Sequence, residues 1–164
     1  MSRTTRTWAD WRSRPRPPIP WAGAVYFTVD RYVARPQVLS DLRRYDVVIS
    51  DRSFYSTLAY QGCHLTPTER RRLQEWTDRV AHRPDLVLWI RLSPEEAIER
   101  ISTRARRRDP LETERRLRQV DGAYRRLALR YRFVRIDGSR TPAEIARDAV
   151  RAVTRRLSRP RGRT

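Results

Sequence analysis

The sequence contains no lysine, and all 37 of its basic residues are arginine. A catalytic lysine of any kind is therefore excluded. Glycine is also scarce, and the five glycines are scattered along the chain, at Gly23, Gly62, Gly122, Gly138 and Gly162. Because they do not cluster, the sequence has no glycine-rich loop of the kind whose backbone amides cradle phosphates. A single cysteine, Cys63, excludes a disulfide within the chain, which fits a reducing cytoplasm.

Long apolar runs are missing too. No stretch approaches the ~20 apolar residues of a membrane-spanning helix, and the N-terminal arginines are not followed by the apolar segment of a signal peptide. We therefore expect a cytoplasmic protein that does not contact a membrane. Charge, by contrast, is abundant and mostly of one sign, with a formal net charge of +18. We attribute this charge to the codon bias of a GC-rich genome, with nucleic-acid binding as the alternative.

The chain is long enough, at 164 residues, for one domain with a hydrophobic core. Residues 1–22 are rich in arginine, proline and tryptophan without helical or strand periodicity, and we predict a disordered leader there. The domain is predicted over residues 23–157, followed by a basic tail at 158–164. Its first helix is predicted over residues 22–44, kinked or split at Pro36.

Apolar runs and helix-capping signals alternate along the rest of the chain. Strands are predicted at residues 46–50, 85–92 and 131–137, and the second is nearly unbroken in apolar residues, as in a central parallel strand. A helix is predicted over residues 112–130. Three more helices are predicted to begin at capping boxes with proline in the first turn, at Thr66, Ser93 and Thr141. This alternation indicates an α/β fold with a parallel sheet and right-handed crossovers.

Residues 51–62, Asp-Arg-Ser-Phe-Tyr-Ser-Thr-Leu-Ala-Tyr-Gln-Gly, directly follow the first predicted strand. Asp51 and Arg52 are thereby expected at the carboxyl edge of the sheet, where ligands bind in open parallel sheets. A carboxylate there can hold Mg²⁺ through water, and a guanidinium can bind a phosphate with two hydrogen bonds. The string resembles the nucleotide-binding signature of thymidylate kinases, the P-loop kinases that transfer the γ-phosphate of ATP to dTMP.

The resemblance extends from about residue 25 to residue 156 and implies roles for individual residues. Asp51 would help to place Mg²⁺, and Arg52 would hold the dTMP phosphate. Phe27 would stack on thymine, and Arg31, one helical turn later, would hydrogen-bond the base edge. The remaining dTMP contacts implied are Ser56 and Thr57 near the phosphate and base, Tyr60 against the sugar and Gln61 beside the base.

Residues 103–112 are similar to the lid that closes over ATP in this family. Arginines suit a lid because charge spreads over the transferring phosphoryl oxygens. Asp109 is followed by Pro110, where bacterial-type relatives often have arginine, so the identity of the catalytic lid arginine stays open. Gly138 and Ser139, after the last predicted strand, would border the adenine through backbone contacts. The lid residues assigned to catalysis are Arg104 and Arg107, and those assigned to ATP binding are Arg104, Arg106 and Arg108.

One part of the family pattern has no counterpart in this sequence. Kinases of this family begin with a strand and a glycine-rich loop that ends in Gly-Lys-Ser/Thr. We therefore expect a P-loop-kinase-like parallel sheet, flanked by helices, that lacks its first, central strand and its Walker A loop. The remaining strands would have to close up or borrow a strand from another chain. The third explanation, which we favour, is a truncated or mis-started reading frame.

Three functions follow from these patterns. The first is a thymidylate kinase-like phosphotransferase, using ATP, Mg²⁺ and dTMP, in a family whose members are commonly homodimers. The second is a non-catalytic nucleotide-binding protein that keeps the dTMP pocket. The third is a basic nucleic-acid-binding protein, although the arginines are scattered along helices rather than gathered around aromatic platforms. Each motif also has a plainer interpretation, with Phe27 as a core residue, Asp51 as a helix cap and the lid arginines as a solvated surface.

Overall fold

The computed structural model describes residues 20–103 and 113–158. Within these residues the chain forms six α-helices and two β-strands. The elements, in chain order, are α1 (Pro20–Arg44), α2 (Phe54–Tyr60), a 3₁₀ turn (Gly62–His64), α3 (Pro67–Val80), β1 (Leu88–Arg91), α4 (Pro94–Ser102), α5 (Glu114–Tyr131), β2 (Val134–Asp137) and α6 (Pro142–Leu157). The described structure is thus a mostly helical α/β fold with a small sheet.

The two strands pair in parallel, in register from Leu88 opposite Val134 to Arg91 opposite Asp137. The predicted parallel sheet is confirmed for these two segments, although both strands are shorter than expected. Strand β2 begins late because α5 continues to Tyr131 and Arg132 then takes a left-handed conformation, with φ of 54°. That turn redirects the chain into the sheet.

The predicted strand at residues 46–50 is wrong. These residues are in no helix or strand, and none of their backbone groups is hydrogen-bonded to another described backbone segment. Val47 is 41% and Ile49 is 85% exposed. An apolar run becomes a strand only when a neighbouring strand completes its hydrogen bonds, and the described sheet consists of β1 and β2 alone. Asp51 and Arg52 therefore do not follow a strand.

Helix α1 begins at Pro20 and runs through Pro36 to Arg44, so Pro36 does not split the helix, and the kink predicted as the other outcome stays a prediction. The helix also includes the last three residues of the predicted leader. One of them, Trp21, donates its indole N–H to Glu69 Oε1 of α3 at 2.8 Å. This hydrogen bond ties the start of α1 to the rest of the fold. The other leader residues, 1–19, and most of the tail, 159–164, lie outside the described residues.

The three predicted capping boxes are confirmed. In each one the N-cap hydroxyl accepts from the backbone N–H three residues later, and the glutamate there accepts in return from the N-cap backbone. These hydrogen bonds hold the pKa of each glutamate below its usual value. The pairs are Thr66 with Glu69, Ser93 with Glu96 and Thr141 with Glu144.

The hydrophobic core lies among helices rather than on the sheet. Its buried residues come mainly from α1, α2, α3 and α5, and α2 is almost wholly buried. The core residues are Ala24, Phe54, Tyr55, Leu58, Ala59, Leu65, Leu73, Val120, Ala123 and Leu127. Among the described helices, none combines the length and the apolar composition needed to cross a bilayer. The candidate site residues are carried on this helical core.

Candidate functional site

The first part of the candidate site is one turn of α1. Arg31 donates to the Phe27 carbonyl at 2.9 Å, and its guanidinium carbon lies 5.4 Å from the centre of the Phe27 ring. Both residues are half-buried, whereas Ala24 and Thr28 of the same helix are buried. The predicted placement of Phe27 and Arg31 on one face is therefore confirmed. An aromatic ring and a guanidinium held together in this way offer a stacking surface and a hydrogen-bond donor.

The second part spans α2. Arg52 takes a left-handed conformation, with φ of 69°, and Ser53 caps the seven-residue helix that follows. The turn lets the Arg52 side chain reach along the helix, and its guanidinium carbon lies 5.1 Å from the centre of the Tyr60 ring. A cation over the face of an aromatic ring is attracted by the negative charge of that face. The predicted site residues Arg52 and Tyr60 are thus in contact.

These two parts lie close enough to influence each other electrostatically. The pKa of Arg31 is lowered, first by burial and also by the positive charge of Arg52, while Asp30 acts in the opposite direction. Two guanidinium groups in one region repel each other unless an anion lies between or beside them. An anion such as a phosphate would relieve this repulsion, and each guanidinium can form two hydrogen bonds with its oxygens.

Tyr124 on α5 contacts the second part of the site, and this contact was not predicted from the sequence. Its hydroxyl and that of Ser56 on α2 share a hydrogen bond of 2.9 Å. Its ring makes an edge contact with Tyr60, with centres 6.3 Å apart, and stacks on Trp89 of β1 at 6.0 Å. The helical pattern indicated Tyr124 only as a member of the apolar stripe of α5. Because Ser56 and Tyr124 are 68 residues apart in the sequence, no local pattern predicts their hydrogen bond.

An ion pair holds α5 against β1 beside Tyr124. Arg91 of β1 donates to Asp121 at 3.0 Å, and its guanidinium also lies over the Trp89 ring at 5.7 Å. Asp121 also accepts from Arg125, one turn further along α5, at 2.7 Å. Because the side chains of Arg91 and Asp121 are only 22% and 13% exposed, the contact is partly shielded from water. This ion pair fixes the position of Tyr124 along the sheet.

Thr57 and Gln61, the two remaining predicted dTMP residues, have surroundings of their own. Thr57 is 2% exposed, and its hydroxyl has no hydrogen-bond partner among the described residues. The Gln61 side chain packs against Gly23 of α1, where its Cγ is 3.5 Å from the position a Cβ would take. Asp51 is exposed. Within residues 20–103 and 113–158, no group of three or more His, Cys, Asp and Glu side chains is arranged to hold a metal ion.

The loop after β2 contains the two residues predicted to border adenine. The Ser139 backbone and hydroxyl both donate to Asp137 Oδ1, at 3.0 and 2.7 Å, and these bonds hold the pKa of Asp137 below its usual value. Gly138 donates to the Arg91 carbonyl at 2.8 Å, and Arg100 of α4 donates to the Ser139 carbonyl at 3.3 Å. The loop is therefore tightly fastened to β1 and α4. Its contact with adenine stays a prediction.

The predicted lid residues Arg104, Arg106, Arg107 and Arg108 lie outside the described residues. A shallow groove of about 730 Å³ lies along α1. It is lined by Trp21, Ala22, Val25, Tyr26, Val29, Asp30 and Val33. None of the predicted site residues lines this groove, so it is separate from the candidate site.

Comparison with known proteins points to a single family. A family model described as thymidylate kinase matches residues 19–149. The chain is 32% identical over 126 residues to a thymidylate kinase of Leptospira borgpetersenii, covering 76% of this chain and 60% of that protein. It is 29% identical over 137 residues to a probable thymidylate kinase of Thermoplasma acidophilum, covering 80% and 69%. It is 30% identical over 150 residues to a probable thymidylate kinase of Pyrobaculum calidifontis, covering 91% and 76%.

Proposed function

The chain belongs to the thymidylate kinase family, and we propose that it binds dTMP between α1, α2 and α5 and transfers to it the γ-phosphoryl group of ATP. The observation that carries the proposal is that the Phe27–Arg31 pair of α1 and the Arg52–Tyr60 pair lie on neighbouring parts of the fold, near enough for the charge of Arg52 to lower the pKa of Arg31. Two aromatic rings suit a planar base and a sugar, and two guanidiniums suit an anion. A nucleoside monophosphate combines these features in one small molecule.

In this proposal each group has a separate task. Phe27 stacks on the base, Arg31 donates to the base edge, and the exposed guanidinium of Arg52 binds the phosphate. Tyr60, under Arg52, lies against the sugar, where it would clash with a 2′-hydroxyl. Phosphoryl transfer in line between two phosphates needs positioning and charge neutralisation more than a strong base, so the arginines supply most of what the chain contributes.

Mg²⁺ is the metal expected with ATP in such a reaction, where it neutralises charge on the phosphates. Asp51, exposed beside Arg52, is the carboxylate that would hold it. Mg²⁺ keeps several waters and is commonly bound by one or two carboxylates together with substrate phosphates. A lone carboxylate at this position is therefore compatible with Mg²⁺ that arrives with the nucleotide.

A second candidate is dTMP binding without phosphoryl transfer. The observation that favours it is the absence of lysine and of clustered glycines from all 164 residues, since a phosphate-cradling loop of the Gly-Lys-Ser/Thr type uses both. The residues that match the Leptospira protein span 60% of its length. Both candidate functions use the monophosphate pocket, and they differ only in whether the chain transfers a phosphoryl group from ATP.

Calorimetric titration of the wild-type protein with dTMP, and with thymidine as the ligand that lacks the phosphate, tests the shared pocket. Arg52→Ala should weaken dTMP binding roughly 10-fold to 100-fold, as expected for a charge-assisted hydrogen bond, and should leave thymidine binding unchanged. Arg83→Ala is the matched control, because Arg83 also lies over a tyrosine, 6.0 Å from the Tyr131 ring, and pairs with Asp78 rather than with a site residue. Its affinity for dTMP should equal that of the wild type.

Formation of ADP from ATP, dTMP and Mg²⁺ then separates the candidates. Turnover that requires dTMP supports the kinase, and tight dTMP binding without ADP formation supports the non-catalytic binder. If the protein shows no saturable dTMP binding and instead binds any DNA with strong salt dependence, both candidates are wrong and the net charge of +18 reflects nucleic-acid binding.

A further inference from the structure

We infer that Tyr124 is a positioning residue for the dTMP pocket, acting through Ser56 and Tyr60; the inference rests on the proposed function. Its hydroxyl and that of Ser56 share a hydrogen bond of 2.9 Å, and its ring supports the Tyr60 ring at 6.3 Å with an interplanar angle of 82°. Tyr60 in turn lies under Arg52. One side chain of α5 therefore contacts two residues of α2, Tyr60, which the proposal places against the sugar, and Ser56, which the family resemblance places near the phosphate and base.

The surroundings of Tyr124 hold its ring in one place. Trp89 stacks on it with an interplanar angle of 18°, and the Arg91–Asp121 ion pair fixes α5 to the strand that carries Trp89. A side chain that is already held by contacts with a strand and a helix loses little conformational freedom when a ligand binds. Through its contacts with Ser56 and Tyr60, Tyr124 therefore holds the shorter helix α2 in a fixed position relative to the sheet.

Tyr124 also differs from the core residues on its own stripe of α5. Val120, Ala123 and Leu127 are 5%, 7% and 8% exposed, whereas Tyr124 is only half-buried. Burial raises the pKa of the Tyr124 phenol above its usual value, and Tyr60 acts in the same direction, while the hydrogen bond with Ser56 and the charges of Arg52 and Arg31 act in the opposite direction. The Tyr124 phenol therefore lies within electrostatic range of both Arg31 and Arg52.

The hydrogen bond determines how the Ser56 hydroxyl is oriented. A hydroxyl has one donor and two acceptor positions and rotates freely unless a partner fixes it. With Tyr124 as that partner, the remaining hydrogen-bonding positions of the Ser56 hydroxyl are fixed in one orientation. Tyr124→Phe keeps the ring and its stacking but releases this hydroxyl, so the substitution isolates the hydrogen bond from the packing.

Titration of the variants with dTMP tests the inference. We expect Tyr124→Phe to weaken dTMP binding about 10-fold, in line with the loss of one hydrogen bond and of the order it imposes. Ser56→Ala should have a similar effect. Because both substitutions remove the same contact, the double variant should bind no worse than about 10-fold below wild type rather than about 100-fold below it.

Tyr131→Phe is the matched control on the same helix. The Tyr131 hydroxyl is hydrogen-bonded to Gln74 and Asp78, away from the site residues, so the variant should lose stability but keep wild-type affinity for dTMP. A merely structural role of Tyr124 would produce that same behaviour, with a lower melting temperature and unchanged affinity, and would overturn the inference. Additive effects of Tyr124→Phe and Ser56→Ala would overturn it as well.

The proposed function and this inference fail in different ways. If the wild type does not bind dTMP, both are wrong. If the wild type binds dTMP and Arg52→Ala does not, while Tyr124→Phe and Ser56→Ala bind as the wild type does, the pocket stands and only the positioning role fails. Should Tyr124→Phe not fold, Ser56→Ala alone decides, because wild-type affinity in that variant refutes the role of the hydrogen bond.

Discussion

Replacement of Gly138 by alanine should separate the loop after β2 from β1. The Gly138 amide donates to the Arg91 carbonyl at 2.8 Å, beyond the last paired residues of the two strands. A Cβ at this position would lie 2.9 Å from the Arg91 carbonyl oxygen, 3.0 Å from its carbon and 3.1 Å from Leu92 Cγ. Since the nearest atoms belong to the backbone of β1, they cannot rotate away as a flexible side chain would.

The size of the effect follows from three contributions. Overpacking against rigid neighbours costs ~1–3 kcal/mol, and weakening the hydrogen bond costs ~0.5–1.5 kcal/mol. The reduced freedom of the unfolded chain offsets ~0.4–1 kcal/mol of that loss. We therefore expect the free energy of unfolding to fall by roughly 2 kcal/mol, which lowers the melting temperature by roughly 4–8 °C for a chain of this size.

Urea denaturation followed by circular dichroism measures this difference, with Gly122→Ala as the matched control. Gly122 lies inside α5, and a Cβ there would meet only the mobile end of Arg126 at 3.7 Å. Alanine in a helix interior is favoured over glycine, so this control should gain ~0.5–1 kcal/mol. No described glycine has a positive φ, so backbone strain does not contribute at Gly138. Equal stability of Gly138→Ala and wild type would refute the reasoning.

Three further outcomes are expected. Asp121→Ala leaves Arg91, whose side chain is 22% exposed, without its partner at 3.0 Å, and should cost ~1–2 kcal/mol in urea denaturation; an unchanged midpoint would contradict this. Because hydrogen bonds lower the pKa of the capping-box glutamates from 4.5, the unfolded chain takes up these protons first as the pH falls. The contribution of these glutamates to the free energy of unfolding should be complete above about pH 4.5 and lost on further acidification. In a variant with all three glutamates changed to glutamine, the melting temperature should not show this dependence on pH. Burial raises the pKa of Tyr55 from 10.0 to about 12, so the unfolded chain loses this proton first, and stability should fall between these two pH values; Tyr55→Phe should flatten that slope.

The helix starts could be predicted from the sequence because their signal is local. Thr66, Ser93 and Thr141 each meet their glutamate within four residues, so no distant contact is needed to satisfy the pattern. The strand predicted at residues 46–50 failed for the opposite reason. Its apolar residues are typical of a strand, but a strand also needs a partner elsewhere in the chain, and β-propensity does not supply one.

In the candidate site, too, contacts between residues close in the sequence could be predicted and contacts between distant residues could not. The contact between Phe27 and Arg31 follows from a spacing of one helical turn, and the resemblance to a known string indicated Arg52 and Tyr60. Tyr124 was missed as a site residue because its contacts lie on α2 and β1, far away in sequence. The turn at Arg52 was missed as well, since a left-handed arginine has no signature in composition or periodicity.

The proposed binding of dTMP and the proposed phosphoryl transfer would depend on different parts of this molecule. The proposed monophosphate pocket lies among α1, α2 and α5, which also contribute most of the buried apolar core, and Trp89 of the two-stranded sheet stacks on its Tyr124. The cradle for ATP phosphates in P-loop kinases is a loop that follows a strand, so it depends on the sheet. A chain with a well-packed helical core and a small sheet can therefore retain the first property independently of the second. Affinity for dTMP and turnover of ATP are for this reason separate measurements, and the first reports on the residues described above.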